Sequence, residues 1–212
     1  MIITELRRRR GQLILLVLDG EPAVTVDART LNESPYRVGS SLDDEALRAL
    51  LEESGRRRAR EKALYLLSLR DHSREELRRK LSGEAGETAA AETAARMEEL
   101  GLVNDEDYAR RLARELRLRR HYPRRRTVQE LTARGVGRET AEEAADAAET
   151  EDWIQALELL RKKYYNRLHD DDGRRKTAAA LARQGFGFED IRRALQAYDE
   201  NDGEKNDAWD IE

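Results

Sequence analysis

Leu131-Thr132-Ala133-Arg134-Gly135-Val136 returns fifty residues later as Leu181-Ala182-Arg183-Gln184-Gly185-Phe186. Each copy ends an apolar-periodic stretch at a glycine, which is how helices commonly stop. Each is followed by an acidic helix start, at Glu139 and Glu189. A period near 50 residues points to a helical array in which each unit buries its face against the next.

Outward from this pair, the same pattern predicts three units, each a long helix, a short helix and a third helix. The short helices align at Leu77, Leu131 and Leu181, with steps of 54 and 50 residues. In the first unit a helix over 58–71 buries Ala63, Leu66 and Leu67, spaced i, i+3, i+4. Ser73 with Glu76 three residues on forms a capping box for the next helix. A helix over 87–100 presents Ala90, Ala94, Met97 and Leu100 and stops at Gly101. The second unit has Tyr108, Ala109, Leu112 and Leu116 on one stripe, a helix opened by Pro123, and an alanine stripe at 141, 144, 145 and 148. The third has Trp153, Leu157, Leu160 and Tyr164, then Ala178 and Leu181, then Ile191, Ala194, Leu195 and Tyr198 before an acidic tail.

The N-terminal part reads differently. Residues 2–9 and 13–18 are predicted strands, and Asp19-Gly20 is a hairpin turn leading back along 22–26. A helix is expected over 42–55. The expected organisation is therefore an extension of hairpin plus helix (1–56), repeats over 57–103, 104–149 and 150–199, and a flexible acidic tail (200–212).

The composition narrows the function classes. The 212 residues hold 40 Lys and Arg, 44 Asp and Glu, and no cysteine. Disulfide scaffolds, cysteine–zinc sites and iron–sulfur clusters are excluded. The apolar run at 13–18 is shorter than the roughly 7–15 residues of a signal peptide core, and no stretch approaches the roughly 18 apolar residues of a membrane span. A cytoplasmic protein is expected.

The net charge of −4 conceals segregation. Residues 105–138 carry 11 arginines against five acids, residues 139–152 carry seven acids and no base, and residues 199–212 carry seven acids and one lysine. Such blocks mark interaction surfaces, although arginines and glutamates on solvated helix faces give similar runs. The densest segment is 117–126, where Arg117, Arg119, Arg120, Arg124, Arg125 and Arg126 surround His121, Tyr122 and Pro123. A corner of this kind can hold guanidinium groups against phosphates, with Tyr122 free to stack, or meet an acidic protein surface. Arg78, Arg79 and Lys80 in the first repeat and Arg161, Lys162 and Lys163 in the third are secondary candidates. Catalysis would rest on His169 with Asp170, Asp171 and Asp172 as a metal-dependent nuclease site. Consecutive carboxylates cannot all face one ion on a regular element, and an acidic helix start beside Gly173 is the simpler reading.

Three stretches together resemble the RecX family, bacterial modulators of the RecA recombinase. They are 63–81 (ALYLLSLRDHSREELRRKL), 99–109 (ELGLVNDEDYA) and 184–195 (QGFGFEDIRRAL). The resemblance runs from about residue 57 to 198, and the N-terminal hairpin is similar to an extension that some members carry. The chain departs from the family pattern in the Arg124-Arg125-Arg126 run after Pro123 and in the Ala- and Glu-rich segment 84–95. The resemblance implies a mainly all-α, curved, elongated array of three three-helix repeats behind a short β-hairpin region. It also implies a monomer without cofactor or chemistry of its own, lying in the groove of the RecA–single-stranded DNA filament with a possible weak DNA contact. There it inhibits ATP hydrolysis, strand exchange and stimulated repressor cleavage. The alternatives are a general nucleic-acid-binding protein and a helical-repeat adaptor with another partner.

Overall fold

The computed structural model describes residues 1–207, and its contacts divide the chain into two compact units, residues 1–104 and the part beginning at Asp105. In the first, β1 (Ile3–Arg9), β2 (Leu13–Leu18) and β3 (Glu21–Asp27) form an antiparallel sheet in that order. Leu16 pairs with Leu6 on one side and Val24 on the other. Ile3, Leu16, Leu18 and Val26 bury one sheet face with Leu31, Leu42 and Leu50, residues of the short helix α1 (Ala28–Glu33), the loop after it, and the long helix α2 (Asp44–Leu69).

Helix α2 corrects the expectation of two helices over 42–55 and 58–71. Asp43 caps it, accepting from the Ala46 amide at 2.7 Å, and it runs unbroken through Gly55. That glycine serves a close approach rather than a stop. A Cβ there would lie 2.9 Å from the Ala85 carbonyl oxygen and 3.5 Å from the Ala89 Cβ. Ala85 ends α3 (Arg74–Ala85) and Ala89 belongs to α4 (Glu87–Glu99), so α2 packs on both helices of its repeat. The Ser73 hydroxyl caps α3, accepting from the Glu76 amide at 3.1 Å. The Glu76 carboxylate is held by the Arg70 guanidinium, at 2.6 and 3.2 Å.

The second unit contains α5 (Asp105–Arg114), α6 (Arg124–Ala133) and α7 (Arg138–Asp146), then α8 (Asp152–Leu159), α9 (Asp171–Arg183) and α10 (Phe188–Asp207). Each trio carries its own buried cluster. The first is built on Tyr108, Leu112, Leu116, Leu131 and Val136, and the second on Leu157, Leu160, Tyr164, Leu181, Phe186 and Ile191. Helix α10 passes the expected end at Tyr198. Once nucleated, a helix gains a hydrogen bond per added residue, and Arg174 of α9 grips Asp199 with bonds of 2.7 and 2.8 Å. Trp209 and the rest of the acidic tail beyond 207 lie outside the described residues. No helix among the described residues is long and apolar enough to cross a membrane.

The repeated leucine–glycine signature has a specific cause. Gly135 (φ +85°) and Gly185 (φ +100°) both adopt the left-handed conformation. The Val136 amide donates to the Leu131 carbonyl and the Gly135 amide to the Thr132 carbonyl. The Phe186 and Gly185 amides repeat this with Leu181 and Ala182. This is the Schellman helix stop, closed by the apolar residue after the glycine. A Gly185→Ala substitution is expected to lower stability by about 1–2 kcal/mol through its φ alone, measured as a shift in the urea midpoint.

The repeat register also needs correction. The short helices begin after Ser73 and Pro123, 50 residues apart. The equivalent fully buried leucines are Leu81, Leu131 and Leu181, at two equal steps of 50, with Leu77, Thr127 and Thr177 buried one turn earlier. Leucine identity at 77 misaligns the first unit by one turn, because threonine takes its place in the other two.

Candidate interaction site

Helix α5 continues as a π-helical turn, Glu115–Arg119, that leads into the arginine corner. Here the fold separates residues that are alike in sequence. Arg117 is 3% exposed and points inward. Its guanidinium pairs with the Asp152 carboxylate and donates to the Thr150 carbonyl, and it lies 3.3 Å from the Tyr122 carbonyl. Asp152 also accepts from the Arg124 amide at 2.8 Å. Pro123, at the N-cap of α6, has no side-chain hydrogen-bonding group. The first residue of α8 therefore caps α6 from across the unit. Arg117 is thus an internal ion-pair residue, which corrects its expected place on a contact surface.

His121 is buried at positive φ (+54°) beside this pair. Its Nδ1 is 2.8 Å from the Gln155 Oε1 and its Nε2 is 3.2 Å from the Lys162 Nζ. An ammonium only donates, so Nε2 accepts and Nδ1 carries the proton given to Gln155. Lys162 is further held by Glu158 at 3.1 Å, and that bond, larger than the opposing effect of burial, keeps the Glu158 carboxyl below its ordinary range.

Other members of the corner are engaged at the surface. Arg120 pairs with Glu115 at 2.6 Å. Arg124 donates to Asp146 at 2.8 Å, and this hydrogen bond lowers the Asp146 pKa. The Arg126 guanidinium lies 3.8 Å from the centre of the Tyr122 ring and donates to its hydroxyl at 3.1 Å. Tyr122 is half-buried with one ring face covered, so it is not the free stacking platform expected from the sequence. Arg119 and Arg125 are exposed and have no acidic partner among the described residues.

The secondary candidates divide in the same way. Glu75 holds Arg78 at 2.7 Å and Arg79 at 2.9 Å, and the Arg78 hydrogen bond leads in lowering its carboxyl pKa to about 2. Arg78 also pairs with Glu87. Lys80 is exposed without an acidic partner among the described residues. Arg161 lies 3.6 Å from Glu158, and the Lys163 ammonium sits 5.6 Å from the centre of the Tyr164 ring.

One arginine of the repeated signature, Arg183, lies outside the basic segments that the sequence singles out. Arg125, Arg126, Gln129 and Glu130 of α6 face Ala182, Arg183, Gln184 and Gly185 across a groove of about 520 Å³. Arg183 is exposed and, like Arg125, has no acidic partner among the described residues. The groove therefore offers two guanidinium groups without an ion-pair partner, from two repeats, with the Glu130 carboxylate in the same lining. The side-chain amides of Gln129 and Gln184 add neutral donors and acceptors. Gly185, which stops α9, forms part of its wall, and a Cβ there would be 3.6 Å from Pro123. Chemically the groove suits an anionic chain, whether phosphates or acidic side chains.

Two of the three aspartates weighed for a nuclease site are engaged otherwise. Asp170 caps α9, accepting from the Gly173 amide at 2.6 Å. Asp172 pairs with Arg175 at 3.1 Å and Lys176 at 2.5 Å. No group of three metal-ligating side chains is present among the described residues.

Two family models match the chain, the second three-helix domain of RecX over residues 104–144 and the third over 149–195. A regulatory protein RecX from Stenotrophomonas maltophilia strain R551-3 is 38% identical over 145 residues, covering 67% of this chain and 87% of that protein. One from Clostridioides difficile is 25% identical over 199 residues, covering 92% of this chain and 94% of its own length. A crystal structure of a regulatory protein RecX superimposes with a TM-score of 0.61 at 19% identity, over 92% of this chain and 98% of the other. RecX from Lactobacillus salivarius gives 0.59 at 24%, over 71% and 98%. These structures share the fold, and the sequence relatives carry the assignment further: the chain belongs to the RecX family of regulatory proteins.

Proposed function

We propose that this chain is a non-enzymatic regulator of homologous recombination and of the SOS response, acting in the cytoplasm on RecA. It lies as a monomer in the groove of the RecA–single-stranded DNA filament and inhibits ATP hydrolysis, strand exchange and the coprotease activity. Its working parts are an N-terminal extension (1–56) and three repeats (57–103, 104–149, 150–199), the extension and the first repeat sharing the unbroken helix α2. The observation that carries this reading is the groove between α6 and α9, where Arg125, Arg126 and Arg183 outnumber Glu130 and where Arg125 and Arg183 have no ion-pair partner among the described residues, in a chain of net negative charge. Arginines in excess in a concave wall favour an anionic partner and raise its encounter rate. Arg119 and Lys80 extend the candidate contacts.

The test is ATP hydrolysis by RecA from the same organism on single-stranded DNA, with this protein well below one per RecA. Strong inhibition is expected, because an agent acting on filaments affects many subunits at once. A competitor for free DNA or for RecA monomers cannot act at that ratio. No inhibition, with binding to naked DNA intact, would replace this reading with general nucleic-acid binding.

A further inference from the structure

We infer that the tip of the β1–β2 hairpin is a second nucleic-acid site, one that grips the phosphate backbone of duplex DNA independently of the groove between α6 and α9. Residues 7–10 are four consecutive arginines, all exposed. Only the first is neutralised nearby, by Glu5 at 2.7 Å. Arg8, Arg9 and Arg10 have no acidic partner among the described residues, although most arginines of this chain are paired.

The guanidinium groups rise from an ordered base. Arg8 and Arg9 pair with Ile14 and Leu13 in the ladder. Arg10, Gly11 (φ +71°) and Gln12 (φ +61°) make the three-residue turn between the paired Arg9 and Leu13. The Ala28 amide donates to the Gln12 carbonyl at 2.8 Å and ties the turn to the start of α1. Little backbone entropy is lost when a partner meets such a tip, and the cost of ordering falls on the arginine side chains.

The side-chain set selects the partner. Single-strand sites combine cations with aromatic platforms for the unstacked bases, and residues 1–27 contain no aromatic residue. An exposed edge strand and turn that carry cations alone touch the phosphates of a duplex without reading sequence. The site belongs to the N-terminal unit and does not depend on the RecA reading.

The experiment measures binding of the full chain to a labelled mixed-sequence duplex across a series of KCl concentrations. The R8Q/R9Q/R10Q variant is expected to lower the slope of log affinity against log salt by about 2–3, near 0.9 per lost phosphate contact. The R8K/R9K/R10K variant, which keeps the charge, is expected to keep the slope. The R125E/R183E variant is expected to show the same drop when the three glutamines are added. A wild-type slope in R8Q/R9Q/R10Q overturns the proposal. So does equal loss in the lysine variant, which would mean that shape and not charge matters. An equally large loss on a single strand of the same length overturns the duplex assignment.

Discussion

Asp152→Ala is expected to destabilise the second unit by about 3–5 kcal/mol, the usual cost of stranding one partner of a buried ion pair. The guanidinium of Arg117, 3% exposed, then keeps only the carbonyls of Thr150 and Tyr122 as partners. The same substitution removes the acceptor that caps α6 at the Arg124 amide, worth about 1 kcal/mol more. Asp152→Asn keeps an acceptor but loses the charge, and it should fall between wild type and Asp152→Ala. Replacing Arg117 with Met removes the buried charge and keeps much of the volume. In the double variant Arg117→Met/Asp152→Ala the loss should therefore be well below the sum of the singles. Urea unfolding followed by far-ultraviolet circular dichroism reads the wild type and the four variants. A loss under about 1 kcal/mol for Asp152→Ala would mean that the pair is solvated and does not hold repeats two and three together.

The second large effect concerns the groove between α6 and α9. The double reversal Arg125→Glu/Arg183→Glu is expected to weaken binding to the RecA–DNA filament by about 100-fold at low salt. Two charge-assisted contacts at about 1.5 kcal/mol each give about 3 kcal/mol, and about 1.4 kcal/mol corresponds to tenfold. The effect should shrink as salt is raised, since both side chains are exposed. The control is Arg79→Ala, because Arg79 is spoken for by Glu75 at 2.9 Å. That control should bind as the parent does. Equal weakening in the control and the reversal would shift the contact to the overall charge of the chain. Unchanged binding in the reversal would remove the groove as the filament site.

Much of the fold was legible because its signals are local. The strands at 3–9 and 13–18, the cap at Ser73, the helix start at Pro123 and the glycine stops at 135 and 185 depend on residues within a turn or two of each other. Long-range packing spoiled the reading at Gly55. A glycine that looks like a helix end is the point where α2 meets the Ala85 carbonyl and Ala89. The repeat register failed at Leu77 for a related reason. Burial at that position is common to all three units, while the residue type is not.

The interaction site was legible as a region and not as a set of residues. A dense basic segment at 117–126 is a matter of composition, and the chain alone establishes it. Which of its arginines remain available depends on carboxylates brought near by folding. Asp152 lies 35 positions from Arg117 and takes it inside, and Asp146 lies 22 positions from Arg124 and neutralises it at the surface. Arg125 sits beside Arg124 in sequence yet faces Arg183 across a groove, 58 positions away. A guanidinium is the same chemical group at each position. Its role follows from burial and from the nearest opposite charge, and both are properties of the packed helices rather than of the local sequence.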